Sequence, residues 1–382
     1  MISYGKQSIS NDDIFAVTET LKSDFLTQGP KVAQFEKDLA DYCRAKYCVA
    51  VSNGTAALQL AVAALDLPAN AHGITSPNTF VATSNAMLYS GIQPIFADID
   101  LETYNISTTS IKSRMTPETR LIMPVHFAGQ ACEMVKIKQI ADSSNWKIIE
   151  DAAHAIGSEY ADGTRVGNCK YSDMTVFSFH PVKTITTGEG GAITTNSEEL
   201  YNQLCFLRSH GITKDPRFLS KQEGPWYYEM QELGFNCRMT DIQAALGSSQ
   251  LKRLTHFKNR RREIVNRYNQ VFKDIPGVVP PFELVPDGSC FHLYVLLLDF
   301  VKLGFNRQQF MKYLFSKDIG TQVHYIPVNT QPFYKTKIGT HKDDCPVAWD
   351  YYQRALSLPL YPDLSYEDQS KVIEAVLRWI KK

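Results

Sequence analysis

The sequence predicts an α/β protein whose mostly parallel sheet is covered by helices and followed by a second, smaller α+β domain. Short apolar segments alternate with helix-length segments through the first part of the chain, which is typical of strand–helix–strand units. The chain has 382 residues, 44% of them apolar. This length exceeds a single typical core and indicates about two domains.

Two amphipathic helices open the chain. Ser10, with Asp13 three residues later, has the spacing of a helix N-terminal cap. Apolar residues recur at helical spacing and predict one buried face on each helix. These faces comprise Ile14, Val17 and Leu21 in the first helix and Val32, Phe35 and Leu39 in the second.

The elements that follow alternate between strand and helix. TAALQLAVAAL (55–65) is apolar on nearly every side and predicts a buried helix. Six short apolar segments predict buried strands. They are YCVAVS (47–52), QPIFADI (93–99), RLIMPVHF (120–127), WKIIEDA (146–152), DMTVFSFH (173–180) and GEGGAITT (188–195).

A change of pattern near residue 276 suggests a domain boundary. Residues 243–275 predict one long helix, and PGVVPPFELVPDGS then interrupts the helical pattern. We therefore expect a large domain over residues 1–250, a connecting helix over 251–275 and a small C-terminal domain over 276–382. The last part holds two predicted strands, CFHLYVLLLDF and TQVHYIPV, and a final helix, EDQSKVIEAVLRWIKK.

Composition excludes several classes of protein. The 40 basic and 40 acidic side chains cancel, so no basic field is present to bind nucleic acid or an anionic membrane surface. Apolar runs are far shorter than the ~20 residues of a membrane span, and MISYGKQSISNDD does not resemble a signal peptide. The eight cysteines are scattered without a CxxC pair, which argues against a metal site and fits a reducing cytoplasm.

Three loops follow predicted strands at their carboxyl ends, the edge where open α/β sheets bind ligands. The first is SNGTAAL, where Gly54 allows a tight turn and Thr55 and Ala56 open a helix. Free amides and a partial positive charge at a helix start suit a phosphate. The loop lacks a P-loop lysine, so an ordinary capped helix remains the alternative.

The second loop, IIEDAAHAIG, puts a carboxylate at the end of an apolar strand. Asp151 should lie partly buried, where it requires a cation or a hydrogen-bond donor. His154 follows three residues later and would share the same site if a helix begins there. The alternative is that Asp151 only caps a helix.

The third loop carries a single lysine between a strand and a run of glycines. Ser178 and His180 are polar interruptions near the end of DMTVFSFH, Lys183 lies on the connection, and GEGG follows. The glycines allow the backbone to pass close to a bulky group. A lysine beside apolar surface loses its proton more readily and acts as a nucleophile. The alternative is a surface lysine in a glycine-rich turn.

Together the three loops suit one ligand, pyridoxal phosphate. Its phosphate matches the helix start, its basic ring nitrogen matches Asp151, and its aldehyde matches Lys183. The order of phosphate loop, Asp and then Lys along the chain also occurs in fold-type I pyridoxal phosphate enzymes.

The chain resembles the DegT/DnrJ/EryC1/StrS family of sugar-nucleotide aminotransferases. The resemblance runs through FLTQGPKVAQFE, VSNGTAALQLA, SPNTFVATSNAMLYSG, IIEDAAHAIGS, FSFHPVKTITTGEGGAITTN and LGFNCRMTDIQAALGSSQLKRL. It implies a pyridoxal phosphate-dependent transferase of fold type I, with a three-layer α/β/α large domain. FSFHPVKTITTGEGG and HYIPV are most similar to members that aminate a UDP-linked 4-keto-6-deoxy sugar for pseudaminic acid synthesis.

The resemblance also implies roles for the cofactor-site residues. Lys183 would hold the cofactor through an imine and then move a proton, and Asp151 would pair with the ring nitrogen. His154, where many relatives carry Gln, would lie near the ring and its phenolic oxygen. The remaining cofactor contacts would come from Phe80 stacked on the ring, from the Thr55 and Ala56 amides and Ser178 at the phosphate, and from Asn236 of a neighbouring subunit.

The substrate contacts and partners follow from the same resemblance. L-Glutamate would donate the amino group in a two-step ping-pong cycle, and a shared site implies a homodimer. The UDP-sugar would contact Tyr4, Asp24, Phe25, Leu26, Thr27, Gly54, Ser178, Asn236, His324, Tyr325, Ile326 and Pro327. Without the family, the preferred interpretation of Phe80 is a core residue, and that of His126 is support for the sheet edge. His324 and Tyr325 fit ordinary strand residues equally well, and Asn236 could be a turn former.

Three alternatives to this function stay open. An aminotransferase for a GDP- or dTDP-linked 4-keto sugar would carry the same motifs. Family members that are sugar 3-dehydratases carry His where the aminotransferases carry Lys, so Lys183 argues against that reaction. A non-catalytic binding protein of the same fold is the remaining alternative, and an intact Asp151 and Lys183 pair counts against it.

Overall fold

The computed structural model describes residues 1–380, and these form thirteen α-helices and twelve β-strands. The strands are β1 Tyr47–Val51, β2 His72–Thr75, β3 Gln93–Phe96, β4 Thr119–Met123, β5 Lys147–Asp151, β6 Met174–Ser178, β7 Gly191–Thr195, β8 Ile212–Thr213, β9 Glu229–Met230, β10 Val278–Val279, β11 Tyr294–Leu298 and β12 Ala355–Leu358. The helices are α1 Asn11–Leu21, α2 Pro30–Cys43, α3 Gly54–Ala63, α4 Ala82–Tyr89, α5 Thr108–Ser113, α6 Met134–Asp142, α7 Glu198–Arg208, α8 Asp241–Lys252, α9 Leu254–Phe272, α10 Phe300–Leu303, α11 Arg307–Phe315, α12 Pro346–Arg354 and α13 Tyr366–Ile380.

The main sheet has seven strands in the order β1-β7-β6-β5-β4-β2-β3. Neighbouring strands from β3 to β6 pair in parallel, whereas β7 runs antiparallel to both β1 and β6. Since β7 opposes both neighbours, β1 points in the same direction as β5 and β6. The three loops picked out from the sequence therefore leave the sheet at the same edge, as predicted.

Helices cover both faces of this sheet, which confirms the three-layer α/β/α prediction. Side chains alternate along β1, so Cys48 and Ala50 join the core beneath α2, α6 and α8. Val49 and Val51 join the opposite core, beneath α3, α4 and α7. Two buried faces explain why the strands are continuously apolar rather than alternating.

A second, three-stranded antiparallel sheet lies in the C-terminal part of the chain. Its order is β10-β11-β12, and α9, α11 and α13 pack against it around Tyr268, Leu296 and Phe310. The boundaries at 250 and 275 stay a prediction. Over the described residues, no helix is long and apolar enough to cross a membrane.

Some predicted elements differ from the structure. The capping box of Ser10 and Asp13 is present, but Ile14 and Leu21 are 57% and 56% exposed. Asp13 and Thr20 are buried instead, because α1 turns its polar side towards Gln250 and Arg253 on and after α8. The predicted helix over 243–275 is two helices, which break at Arg253.

The predicted strand TQVHYIPV is also wrong as a continuous element. Only Gln322 makes an isolated bridge, to Ser357 of β12. Two residues after Gln322, the His324 ring nitrogen Nδ1 lies 2.8 Å from the Ser357 hydroxyl oxygen. The segment therefore leaves the sheet edge as a loop, and this loop brings Tyr325 towards the main sheet.

Candidate active site

Lys183 lies on the connection between β6 and β7, and its backbone N–H donates to the His180 carbonyl. Burial lowers the pKa of its ε-amine from 10.5 to about 8, and the negative charge of Asp151 opposes this fall. At pH 7.5 about a quarter of such amines are neutral, far more than for a free lysine. The side chain is therefore suited to nucleophilic attack and to proton transfer.

Asp151 is the last residue of β5 and is only 4% exposed. The Thr83 hydroxyl donates to its Oδ2 at 2.6 Å, and the Ala153 N–H donates to its Oδ1 at 3.1 Å. A carboxylate accepts about four hydrogen bonds. The two observed donors leave room for one more, such as a protonated ring nitrogen.

The first loop meets the third at close range. A Cβ added to Gly54 would lie 2.8 Å from the Cβ of Ser178, so glycine is required where the two loops touch. A Cβ on Gly191 would lie 2.5 Å from the Asn53 carbonyl oxygen. The start of α3, the Ser178 hydroxyl and the glycine-rich segment thus form one surface.

The amides at the start of α3 are not equally available. Asn53 caps the helix, and its Oδ1 accepts from the Ala56 N–H at 2.8 Å. A phosphate contact through Ala56 would have to share that N–H. Gly54 and Thr55 occupy the first two helical positions, whose N–H groups have no partner within the helix.

His154 and Tyr325 form a pair beside these loops. The Nδ1 of His154 accepts from the Ala128 backbone N–H at 3.3 Å, and its Nε2 lies 3.1 Å from the Tyr325 hydroxyl oxygen. Because a backbone N–H can only donate, Nδ1 is unprotonated and Nε2 carries the hydrogen. His154 therefore donates to Tyr325, and the Tyr325 hydroxyl keeps its own hydrogen to donate elsewhere.

Burial keeps the imidazoles around Lys183 neutral. It lowers the pKa of His154 and of His292 well below 6.5, and the neighbouring positive charge of Lys183 adds to both effects. The same causes, in the same order, lower the pKa of His324 to about 3. His292 lies with its ring 4.3 Å from that of His154, and its Nδ1 is buried without a hydrogen-bond partner in residues 1–380.

Aromatic side chains border the same space. Phe80 is 59% exposed, with its ring 6.5 Å from that of Tyr325, so the alternative that Phe80 is core is wrong. The Tyr4 ring lies 5.5 Å from that of His324. Ile326 is exposed and Pro327 is buried. The structure thus brings the N-terminal residue Tyr4 and the 324–327 loop together.

The stretch Asp24–Thr27 lies beside the start of α8. Its residues are exposed, the Leu26 carbonyl accepts from the Asp241 N–H at 3.0 Å, and Thr27 bridges to Thr240. Asn236 is exposed as well and pairs with Ser209. The next carbonyl along the chain, that of Cys237, accepts from the Ser52 N–H at 2.9 Å, which places this segment next to the first loop.

Two side chains of the site were not predicted from the sequence. Thr83 binds Asp151 directly, and His292 packs against His154. The one available signal for Thr83 was its position four residues after Thr79 at the start of a helix. His292 stands alone in an apolar segment, where a buried histidine has no distinctive pattern.

A second polar cluster lies on the other face of β5. Glu150 is fully buried and accepts from His126, Tyr160, Ser172 and Thr175. Burial alone would raise the pKa of Glu150, but the hydrogen bonds from His126, Ser172 and Tyr160 reverse this and lower it. The backbone N–H of His126 also donates to the backbone carbonyl of Asp151 at 3.0 Å. This contact agrees with the prediction that His126 supports the sheet edge.

The sequence matches the DegT/DnrJ/EryC1/StrS aminotransferase family over residues 7–377. The chain belongs to this family. Among curated relatives, the spore coat polysaccharide biosynthesis protein SpsC of Bacillus subtilis is 42% identical over 100% of this chain and 97% of its own. The UDP-4-amino-4,6-dideoxy-N-acetyl-beta-L-altrosamine transaminase of Campylobacter jejuni is 36% identical over 100% of this chain and 98% of its own.

Solved structures of aminotransferases share the fold. Helicobacter pylori PseC, an aminotransferase of pseudoaminic acid biosynthesis, superposes with a TM-score of 0.93 at 31% identity, over 100% of this chain and 99% of its own. The sugar aminotransferase Spr1654 of Streptococcus pneumoniae in its PLP form has a TM-score of 0.91 at 28% identity, over 100% and 98%. This chain is therefore a sugar aminotransferase, and the PLP and PMP forms of its neighbours imply pyridoxal phosphate as cofactor.

Proposed function

We propose that this enzyme transfers an amino group from L-glutamate to the C4 ketone of a UDP-linked 4-keto-6-deoxy-N-acetylhexosamine. The proposed substrate is UDP-2-acetamido-2,6-dideoxy-β-L-arabino-hexos-4-ulose, and its product would feed pseudaminic acid synthesis. The observation that best supports transamination is the position of Lys183. It is partly buried, has a lowered pKa and lies near the buried carboxylate of Asp151. Full-length similarity to the Campylobacter transaminase and to PseC supports the choice of sugar.

The residues present fit pyridoxal phosphate. Asp151 has unused acceptor capacity for a ring nitrogen, and the start of α3 with Ser178 offers N–H and O–H donors to a phosphate. Phe80, exposed beside Tyr325, is available to cover a planar ring. When bound, the cofactor supplies an electron sink for the carbon that loses or gains a proton.

Lys183 performs the proton transfer in this proposal. Its ε-amine, with a pKa of about 8, accepts a proton from the α-carbon of glutamate and delivers one to C4 of the sugar. A pKa close to ambient pH allows the same group to take and to release the proton. Because Lys183 approaches from one side of the site, it would deliver hydrogen to one face of the sugar.

His154 and Tyr325 would provide a neutral hydrogen-bond donor. His154 donates from Nε2 to the Tyr325 oxygen, which leaves the Tyr325 hydrogen directed to a ligand oxygen. Burial and the negative charge of Asp151 raise the pKa of Tyr325 above its ordinary value, so the hydroxyl keeps that hydrogen. The donor would orient a cofactor or sugar oxygen without adding a charge.

A homodimer in the cytoplasm is part of the proposal. Asn236 is exposed next to the first loop and would reach a phosphate across a subunit boundary. Exposed apolar side chains on and after α1 also suit burial against a second subunit. They are Ile14, Phe15, Leu21, Phe25 and Leu26.

A different nucleotide sugar is the second candidate substrate. The 42% identity to SpsC, a spore coat polysaccharide biosynthesis protein, exceeds the 36% identity to the Campylobacter transaminase. A GDP- or dTDP-linked 4-keto sugar would require the same chemistry at Lys183. Only the loops that hold the nucleotide would need to differ.

Incubation of the enzyme with glutamate and a panel of keto sugars tests both proposals. We expect 2-oxoglutarate release with the UDP-linked sugar and an amino group at C4 by NMR of the product. A higher kcat/KM for the GDP- or dTDP-linked sugar would overturn the choice of nucleotide. Failure of every keto sugar to consume glutamate would overturn the proposed reaction.

A further inference from the structure

A chain of two threonine hydroxyls ends at the carboxylate of Asp151. The Thr79 Oγ1 lies 2.8 Å from the Thr83 Oγ1, which lies 2.6 Å from the Asp151 Oδ2. Both threonines are buried, and Thr83 is fully so. Water therefore does not compete for these hydrogen bonds.

The number of hydrogens available fixes the direction of donation along these hydrogen bonds. A carboxylate can only accept, and a threonine hydroxyl has a single hydrogen. The Phe80 carbonyl, at 3.3 Å, is a longer alternative acceptor for Thr83 than Asp151 is. Thr83 thus donates to Asp151, and Thr79 donates to Thr83.

The hydrogen bonds from Thr79 through Thr83 to Asp151 connect two parts of the proposed cofactor site. Thr79 precedes Phe80, the side chain proposed to cover the ring, and Thr83 is the second residue of α4. Asp151 stands on β5, in a different layer of the fold. With the Ala153 N–H on Oδ1 and Thr83 on Oδ2, both carboxylate oxygens are held in place.

We propose that Thr83 is a positioning residue that holds Asp151 in the orientation needed to pair with a cofactor ring nitrogen, and that Thr79 orients Thr83. This inference rests on the proposed function, because it assigns Asp151 that task. The donor also limits the basicity of the carboxylate, so that the shared proton stays on the ring nitrogen. Loss of the donor would weaken cofactor binding and reduce the electron sink together.

Thr83→Val removes the hydroxyl at nearly constant volume and tests the inference. We expect roughly tenfold weaker pyridoxal phosphate binding, from the loss of one hydrogen bond to a charged group. The pH dependence of the visible absorption of the bound cofactor should shift as well, and kcat should fall. Thr83→Ser, which keeps the hydroxyl, should restore all three quantities to near the parent values, and Thr79→Val should give a smaller loss.

Thr195→Val is the matched control, because it removes another buried threonine hydroxyl at the opposite end of the sheet. Thr195 lies at the end of β7, where it donates to the Asp173 carbonyl. We expect lower stability but unchanged cofactor affinity and spectrum. If Thr83→Val does not fold, Thr83→Ala compared with Thr83→Ser makes the same test.

The outcomes separate the two levels of the proposal. Parent-like affinity, spectrum and rate in Thr83→Val would overturn the role of Thr83 while leaving the aminotransferase intact. A loss that Thr83→Ser does not restore would also overturn it, because the hydroxyl would not be the cause. Failure of the parent enzyme to bind pyridoxal phosphate would instead overturn the proposed function.

Discussion

Replacement of Lys183 by Met should stabilise the cofactor-free enzyme at neutral pH while abolishing turnover. Burial disfavours the charged ε-amine, so the protonated amine lowers the stability of the folded apoenzyme below pH 8. Methionine has a similar length and no charge, and it fills the same space without this cost. Lys183, the proposed catalytic residue, is thus expected to be a site where function opposes stability.

The magnitude follows from the shift in the Lys183 pKa. A fall from 10.5 to about 8 corresponds to roughly 3 kcal/mol of unfolding free energy at neutral pH. The sign follows from proton binding: between pH 8 and 10.5 the unfolded chain holds this proton and the folded chain does not, so the stability of the parent rises with pH. The advantage of Lys183→Met should be largest below pH 8 and should vanish as pH rises towards 10.5.

Denaturant unfolding of the apoenzymes at several pH values between 6.5 and about 10.5 measures this difference. Lys112→Met, at an exposed position on α5, is the control and should change stability little at any pH. A variant Lys183→Met that is less stable than the parent at pH 7 would refute the reasoning. A gain that does not depend on pH would refute it equally, since it would come from packing rather than from charge.

Three further changes give separate expectations. Asp151→Asn should lower kcat by roughly tenfold to a hundredfold through loss of a charge-assisted hydrogen bond, and an unchanged steady-state rate would contradict its role at the ring nitrogen. Tyr325→Phe should lower kcat about tenfold, because His154 loses its acceptor and the site loses a donor; unchanged kinetics would show that the hydroxyl does not contact the reacting groups. Glu150→Gln should lower the free energy of unfolding by about 3–5 kcal/mol, measured with denaturant, because it breaks a buried hydrogen-bond network. The control Glu133→Gln removes an exposed ion pair and should cost at most about 1 kcal/mol.

Local pattern was sufficient to predict most of the large sheet. The six predicted strands correspond to β1 and β3 to β7, and continuous apolar runs correctly indicated two covered faces. The hydrophobic pattern did not predict elements whose structure depends on contacts between distant parts of the sequence. In TQVHYIPV the backbone pairing with Ser357 ends at Gln322, and His324 binds Ser357 only through its side chain. Helix α1 buries Asp13 because Gln250 and Arg253 donate to its Oδ2.

The candidate site was predictable only in part for a related reason. Lys183, Asp151 and the Gly54 turn stand next to strand ends, where residue type and position together suggest a ligand. Thr83 and His292 carry no such local signal, because their importance comes from Asp151 and His154, which are distant in sequence. The spacing of Thr83 from Thr79 relates those two residues only, and nothing near Thr83 or His292 in the sequence indicates the contacts with Asp151 and His154.

The end of β5 shows how one strand serves both the site and its support. Successive side chains of a strand point to opposite faces, so Asp151 faces Thr83 and Lys183 while Glu150 faces the buried cluster around His126. Four donors hold Glu150, and the His126 backbone N–H holds the Asp151 carbonyl. A shift of β5 by one residue would turn each side chain to the opposite face and leave both carboxylates without their partners. The Glu150 cluster therefore contributes to the register that presents Asp151 to the candidate site, which gives this buried charge a structural role.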